Sequence, residues 1–342
     1  MIEIDASVGE GGGQIVRTAL TLAMCTGRAV TLRNIRARRS NPGLRAQHLA
    51  AVHAAARISS ARVEGDKVGS SVLSFEPSGI HPGTYEIDVG TAGSTMLVFQ
   101  TIFPALACCD APSRVLLRGG THNPRAPTFE FVRDAFLPVV ARVGFNAQMT
   151  LERPGFYPKG GGIVHVTIEP RSAATELVLM ERGAIRAITA HALLSRLPDH
   201  IAERELNVLQ AKLGLRPNAC VTEHAEALGP GNVLHVKVEA EHLESVFIGF
   251  GMRGVPAEKV AGDLAQEVRR YLDADVAVDP YLADQLLVPL ALAAGGSFTT
   301  LPLSSHTRTN LSIIQRFIPV TAETDELAPD RWCLKLRVPP RH

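Results

Sequence analysis

The sequence predicts a mixed α/β (α+β) protein of repeated β-α-β-α-β-β units, with a smaller α/β domain inserted at residues 182–275. Three features of the chain carry this expectation. Strand, glycine loop, helix, strand, helix and two strands follow one another twice in the first half. After Glu181 the pattern changes to alternating strands and charged helices. From Tyr281 the chain resembles a further copy of the first unit. At 342 residues, 46% hydrophobic and 20% charged, the chain is long enough for two or three domain-sized units with a large buried core.

The first unit opens with a strand at 2–6 and a glycine loop. A helix at 13–25 follows, because Ile15, Val16, Ala19, Leu20 and Ala23 share one face, and Gly27 ends it. A strand at 29–35, a basic loop holding Asn41-Pro42-Gly43, an alanine-rich helix at 44–58 and strands at 61–64 and 71–75 complete the unit. The second unit has a strand at 84–89, a helix at 94–107 and a strand at 113–118. A helix at 128–143 then puts Phe129, Val132, Phe136, Val139 and Val143 on one side, before strands at 146–152 and 162–168. Within 182–275 the pattern reads as strand 186–195, amphipathic helix 199–214, three strands (219–223, 233–239, 245–251) and a charged helix at 256–272. The remainder returns to the first pattern: helix 281–294, strand 297–303, a loop around His306, helix 311–317, a polar loop at 321–331 and strand 333–338. Residues 1–181 and 276–342 are therefore expected to form one large domain around the smaller inserted one.

A formal net charge of +1 gives no global basic field for a polyanionic partner. Only six of the 35 basic side chains are lysine, leaving 29 arginines. Bidentate phosphate recognition favours this choice, and so does a GC-rich genome. Five cysteines without a CxxC pair read as buried free thiols in a reducing compartment. The first residues show neither a basic nor an apolar leader region, and no apolar run reaches membrane-spanning length. A cytoplasmic location is expected.

Four segments carry candidate chemistry. Gly9-Glu10-Gly11-Gly12-Gly13-Gln14 leads into a helix with Arg17 one turn in. Such a loop lets main-chain N–H groups approach an anion, with Glu10 holding a divalent cation, or it is a tight turn with no ligand. It is neither a P-loop nor GxGxxG, since Gln14 takes the last position. Arg33, Arg36, Arg38, Arg39 and Arg45 surround Asn41-Pro42-Gly43 and precede Gln47 and His48. This is a phosphate or nucleic-acid backbone contact or a solvated edge, and the single sign of its charges favours the contact. Thr121-His122-Asn123-Pro124-Arg125-Ala126-Pro127 is a stiff loop, either a pocket wall or a connection. Ser304-Ser305-His306-Thr307-Arg308-Thr309-Asn310 sets an imidazole at a strand-to-helix junction, as a helix cap or as a nucleophile facing phosphate. Lys159-Gly160-Gly161-Gly162 reads as a hairpin turn. Paired metal-ligand histidines, zinc-like spacings and a GxSxG elbow are absent from the sequence.

Taken together, GEGGGQIVRTAL (9–20), NPGLRAQHL (41–49), GTAGSTMLVFQT (90–101), GGTHNPRAP (119–127), GFYPKGGG (155–162), YLADQLLVPLALA (281–293) and SSHTRTN (304–310) resemble the RNA 3′-terminal phosphate cyclase family. The match is weakest in the inserted domain. The resemblance implies units like the C-terminal domain of translation initiation factor three. It also implies ATP-dependent conversion of an RNA 3′-phosphate to a 2′,3′-cyclic phosphodiester, through a covalent His-AMP intermediate at His306. Glu10 matches the family's metal ligand, for magnesium or manganese, and Arg17 a phosphate contact. Gln100 and Tyr281, Leu282, Ala283, Asp284 and Gln285 match ATP-binding positions, with Pro127 and Tyr281 flanking the adenine. Arg36, Arg39 and Gln47 are implied phosphate or RNA contacts. His122 departs from the smaller or acidic residue expected in some relatives, which puts that loop's contacts in doubt. The implied partners are ATP and RNA with a 3′-terminal phosphate, with no membrane and no obligatory protein partner. Two alternatives are a non-catalytic ribosome-assembly branch, which lacks the histidine, and an enolpyruvyl transferase, which leaves the surroundings of His306 unexplained.

Overall fold

Short strands and apolar helices assemble into four four-stranded sheets in the computed structural model, which describes residues 1–9 and 12–339. Glu10, the metal ligand expected from the resemblance, lies outside the described residues. In chain order the first unit comprises β1 (Ile2–Asp5), α1 (Gly13–Thr26), β2 (Val30–Arg33), α2 (Ala46–Ser59), β3 (Arg62–Glu64) and β4 (Leu73–Glu76). The second has β5 (Thr84–Asp88), α3 (Thr95–Ala107), β6 (Ser113–Gly119), a π-helical turn (Phe131–Phe136) running into α4 (Leu137–Ala141), β7 (Ala147–Arg153) and β8 (Gly162–Ile168). There follow β9 (Leu177–Leu179), β10 (Ile185–Ser195), α5 (His200–Leu213), β11 (Cys220–His224), β12 (Gly231–Ala240), β13 (Glu244–Phe250) and α6 (Ala257–Ala274). The chain closes with α7 (Pro280–Leu292), β14 (Gly296–Thr300), α8 (Ser305–Phe317), β15 (Thr321–Ala328) and β16 (Arg331–Arg337).

Three of the sheets share one topology. Their orders are β1-β2-β4-β3, β5-β6-β8-β7 and, read in the same sense, β9-β14-β16-β15. In each, the first pair is parallel and the other two pairs are antiparallel. A parallel pair needs a crossover, which a helix supplies; the last two strands need only a loop. The third copy is interrupted after its first strand, where β10 to α6 intervene. Those residues form the fourth sheet, β11-β10-β12-β13, with an apolar cluster shared mainly with α5 and α6.

Strands such as β1 and β5 alternate buried and exposed residues, so one face meets solvent while the other is covered by helices. The helices α1, α3 and α7 are buried along most of their length and meet in one core that runs through all three repeated units. Phe99 and Phe103 stack there with ring centroids 4.9 Å apart. Truncating either to alanine is expected to cost about 3–5 kcal/mol.

Several boundaries differ from the sequence-based expectation. The polar loop expected at 321–331 is mostly β15, a sheet-edge strand with nearly every side chain exposed, so it has no apolar alternation to read. β9 has only three residues, too few for a periodic signal. The helix expected from 311 begins at Ser305, which puts His306 inside its first turn. The helix expected at 128–143 starts as a π turn. Cys108 is exposed and the other four cysteines are half-buried, rather than enclosed by the core. Among the described residues no helix is long and apolar enough to cross a membrane.

Candidate active site

The glycine loop and the His306 helix touch directly. Gly9 is left-handed at φ 55°, and a β-carbon there would lie 2.1 Å from Thr309 Oγ1. Only glycine suits both the conformation and the space. Helix α1 then starts at Gly12 with no capping side chain and no acidic residue in its first turn. Its first main-chain N–H groups therefore present a positive helix end without an internal anion.

On α8, the Ser304 hydroxyl caps the helix by accepting the Thr307 N–H at 3.0 Å. His306 is the second helical residue and is exposed. Its Nδ1 lies 2.9 Å from Gln14 Oε1, and Gln14 Nε2 donates to the two Asp284 carboxylate oxygens at 3.0 and 2.9 Å. Ionised Asp284 only accepts hydrogen bonds, so the Gln14 amide turns its nitrogen toward the carboxylate and its oxygen toward the ring. Toward that amide oxygen Nδ1 is the donor, which leaves Nε2 as the other ring nitrogen.

The frame is locked by Asn310. Its Oδ1 accepts from Thr18 Oγ1 on α1 at 2.8 Å, while its Nδ2 donates to the Asp284 carbonyl on α7 at 3.1 Å. Gln100 on α3 donates to Gln285 on α7, so a helix from each repeated unit reaches the network. Asp279 caps α7, accepting the N–H groups of Tyr281 at 2.9 Å and Leu282 at 3.0 Å. Burial pushes the Asp279 carboxyl up to about 6, against those bonds. Tyr281 is 54% exposed, whereas the Leu282 and Ala283 side chains are in the core, leaving only their main chain for a ligand. Pro127 is buried at the end of its loop, outside this hydrogen-bonded set.

The expected arginines converge on the other side of the glycine loop. Burial lowers the Arg17 guanidinium to about 10, with the Asp284 charge opposing the drop, so it stays cationic at neutral pH. The His48 imidazole is pushed down to about 3 by burial first, then by Arg17, Arg36 and Arg45. It is therefore a neutral wall, with Nδ1 accepting the Arg45 N–H at 3.1 Å. A β-carbon on Gly13 would lie 2.3 Å from His48 Nε2 and 3.0 Å from Arg17 Nη1, and one on Gly12 would lie 3.3 Å from an Arg39 guanidinium nitrogen. Arg36, left-handed at φ 54°, donates to the carbonyls of Asn41 at 2.6 Å and Gly43 at 3.0 Å, so part of its work is folding the Asn-Pro-Gly turn. Gln47 packs against the second glycine loop, 3.1 Å from where Gly93 would carry a β-carbon. Sequence reading missed the roles of Gln14, Thr18 and His48. Gln14 was visible only as the residue that spoils a dinucleotide fingerprint.

The uncapped start of α1, the arginines beside it and the imidazole held by Gln14 suit an α/β enzyme that acts on an anion. Comparison with known proteins narrows that class. The family model described as RNA 3′-terminal phosphate cyclase matches residues 8–324. Relatives named RNA 3′-terminal phosphate cyclase include one from Ralstonia nicotianae, 48% identical over 322 residues (93% of this chain, 92% of the relative). Others come from Koribacter versatilis, 47% identical over 327 residues (95% and 92%), and Salmonella agona, 46% identical over 326 residues (95% and 94%). The chain belongs to the RNA 3′-terminal phosphate cyclase family, whose members are ligases.

Proposed function

We propose that this chain converts an RNA 3′-terminal phosphate to a 2′,3′-cyclic phosphodiester using ATP, with His306 as a covalent nucleophile. A 3′-phosphate monoester has no good leaving group, so the neighbouring 2′-hydroxyl cannot close the ring unaided. His306 Nε2 attacks the α-phosphorus of ATP, forming the N–P bond and releasing pyrophosphate. An oxygen of the RNA 3′-phosphate then attacks that phosphorus, freeing His306 and giving an RNA-adenylate anhydride. The 2′-oxygen finally attacks the 3′-phosphorus, the anhydride P–O bond breaks, and AMP leaves with its electron pair.

The observation that supports this proposal is the chain Asp284–Gln14–His306, which holds the ring through Nδ1 at the start of a helix and leaves Nε2 as the nitrogen assigned to the attack. Arg17, Arg36, Arg39 and Gln47 are assigned to the phosphates and the RNA end, because phosphoryl transfer depends mainly on positioning and charge neutralisation. Gln100, Tyr281, Asp284 and Gln285, with the main chain at Leu282 and Ala283 and the wall at Pro127, are assigned to ATP. A magnesium or manganese ion held by Glu10 would neutralise phosphate charge. Residues 1–181 with 276–342 act as the catalytic domain in this proposal and 182–275 as an inserted one, in the cytoplasm.

The test is incubation with α-labelled ATP and a divalent metal. The denatured protein is expected to retain acid-labile AMP on His306, and His306→Ala to retain at least about a thousandfold less. Undiminished labelling of that variant, or no label on the parent, would overturn the mechanism. An RNA 3′-phosphate on a 2′-deoxy terminal sugar is expected to accept AMP without cyclising.

A further inference from the structure

Three side chains with metal-binding chemistry converge where the second repeated unit meets the fourth sheet. They are His122 in the stiff loop after β6, Glu130 just before the π turn, and His235 in the middle of β12. One donor atom from each lies within 4.8 Å of the others. His122 Nε2 is 3.1 and 3.0 Å from the two Glu130 oxygens, and His235 Nε2 is 3.1 Å from Glu130 Oε2. The edges of a zinc tetrahedron with bonds of about 2.0–2.2 Å are roughly 3.3–3.5 Å long, so the two histidine–Glu130 distances are within a few tenths of an ångström of that length, and the two imidazole nitrogens, within 4.8 Å of each other, would adjust to complete it.

Both imidazoles are enclosed, at 1% and 2% exposure. His235 Nε2 meets Glu130 Oε2 as an ion-pair contact at 3.1 Å that lacks the alignment of a hydrogen bond. That is a costly arrangement for a polar group unless something else binds it. The surroundings also prepare His122. Its ring stacks on Phe156 with centroids 5.2 Å apart, and its Nδ1 is 2.7 Å from Thr121 Oγ1. That oxygen is itself positioned by accepting the Gly155 N–H at 2.9 Å. Without an ion His122 Nε2–H donates to Glu130 and Nδ1 accepts the Thr121 hydroxyl; an ion would take the Nε2 lone pair, with the proton moved to Nδ1 and donated to Thr121 Oγ1. A second partner fixing the far ring nitrogen is the usual support for a metal-ligating histidine.

We propose that His122, Glu130 and His235 bind one divalent transition-metal ion, with zinc the best match to the donors. The ion would pin β12 of the fourth sheet to the 121–130 segment of the second unit. Two imidazoles and one carboxylate suit zinc, whereas magnesium demands an octahedral, mainly oxygen shell. The site is thus separate in residues and in chemistry from the cation assigned to Glu10. Without an ion the same three groups form a buried ion-pair cluster, and this is the competing outcome.

The test uses the full-length protein, stripped with a chelator, dialysed against micromolar zinc in millimolar magnesium, and freed of unbound ion. Elemental mass analysis is expected to find about one zinc per chain, and cobalt(II) in its place to show visible ligand-field absorption. His235→Asn and Glu130→Gln are each expected to lose that absorption and to bind zinc at least about a hundredfold more weakly. Markedly substoichiometric zinc in the folded parent protein overturns the proposal, whatever the variants do. Zinc retained at the parent's stoichiometry in both variants locates the ion elsewhere and overturns it too. No arm depends on cyclase activity, so failure here and failure of the proposed reaction are told apart.

Discussion

The helices of the repeated units and those of the fourth sheet begin differently. α1, α2, α3, α7 and α8 have no acidic residue in the first turn, whereas α5 and α6 have Glu203 and Glu258 there. An acid at that position offsets the positive end of the helix. The fourth unit also pairs charges among its own helices: Arg204 on α5 grips Glu258 on α6 through two bonds of 2.7 Å, and Lys259 reaches Asp263 one turn on. These helix charges are paired on the unit's own surface. In the repeated units α1 starts without a capping side chain beside Arg17 and Arg39, an arrangement suited to an external anion. The site is legible as that difference.

The strongest challenge to this contrast is to break the hydrogen-bond chain behind His306. Asp284→Asn frees the Gln14 amide to rotate and Gln14→Leu removes it, and each is expected to slow AMP transfer by about 10²–10⁴-fold, as loss of the correct histidine tautomer does elsewhere. Arg204→Gln, a comparable change in the fourth unit, should leave the rate of label incorporation untouched. Equal effects in both regions would erase the distinction.

Two glycines sharpen it further. Gly9 and Gly214 are both left-handed, at φ 55° and 66°, but a β-carbon has no neighbour within 4 Å at Gly214 and meets Thr309 Oγ1 at 2.1 Å at Gly9. In urea unfolding, Gly214→Ala is expected to cost about 1 kcal/mol from backbone strain alone. Gly9→Ala adds overlap and is expected to cost about 2–4 kcal/mol. Similar costs would mean that the glycine loop does not pack tightly on α8.

Opposite pH responses provide a third comparison. His48 is depressed to about 3 in the fold, so between there and its ordinary value of 6.5 the unfolded chain takes up a proton that the native one refuses. Its contribution is complete above pH 6.5 and is lost as pH falls through that window. Glu205 in α5, pushed up to about 7 by burial, keeps its proton in the native state from 4.5 upward. That contribution is lost as pH rises through the window. Measured as differences from His48→Gln and Glu205→Gln, the two slopes should have opposite signs and reach at most about 1.4 kcal/mol per pH unit. Slopes of the same sign would refute the assignment of charge states.

The smallest expected effect comes from giving α8 the acid that α5 and α6 already have. Ser305→Asp should raise stability by about 0.3–1 kcal/mol in thermal unfolding. It should also slow adenylylation, because the new carboxylate competes with the substrate phosphate. Faster adenylylation would show that the helix start does not face the anion.

The repeated units were visible in the sequence wherever a helix had a continuous apolar face, as α1 and α3 do, or a strand alternated. Local chemistry alone set those elements: periodicity, capping glycines, proline-stiffened loops, and the Ser304–Asn310 motif that put His306 forward. Three things had no such local signature. β15 is polar on both faces and is held by main-chain pairing with β16. β9 belongs to a sheet whose other strands come after the fourth unit. The partners of His306, Gln14 and Asp284, stand 270 residues apart, and His122, Glu130 and His235 meet only across two sheets. Spacing along a chain reports neighbours on one helix or strand. It is silent about groups that separate elements bring together, because burial of apolar surface, not the site itself, decides how those elements pack. The sequence by itself therefore singled out His306 as the candidate nucleophile, and the tertiary structure decided which groups its ring meets.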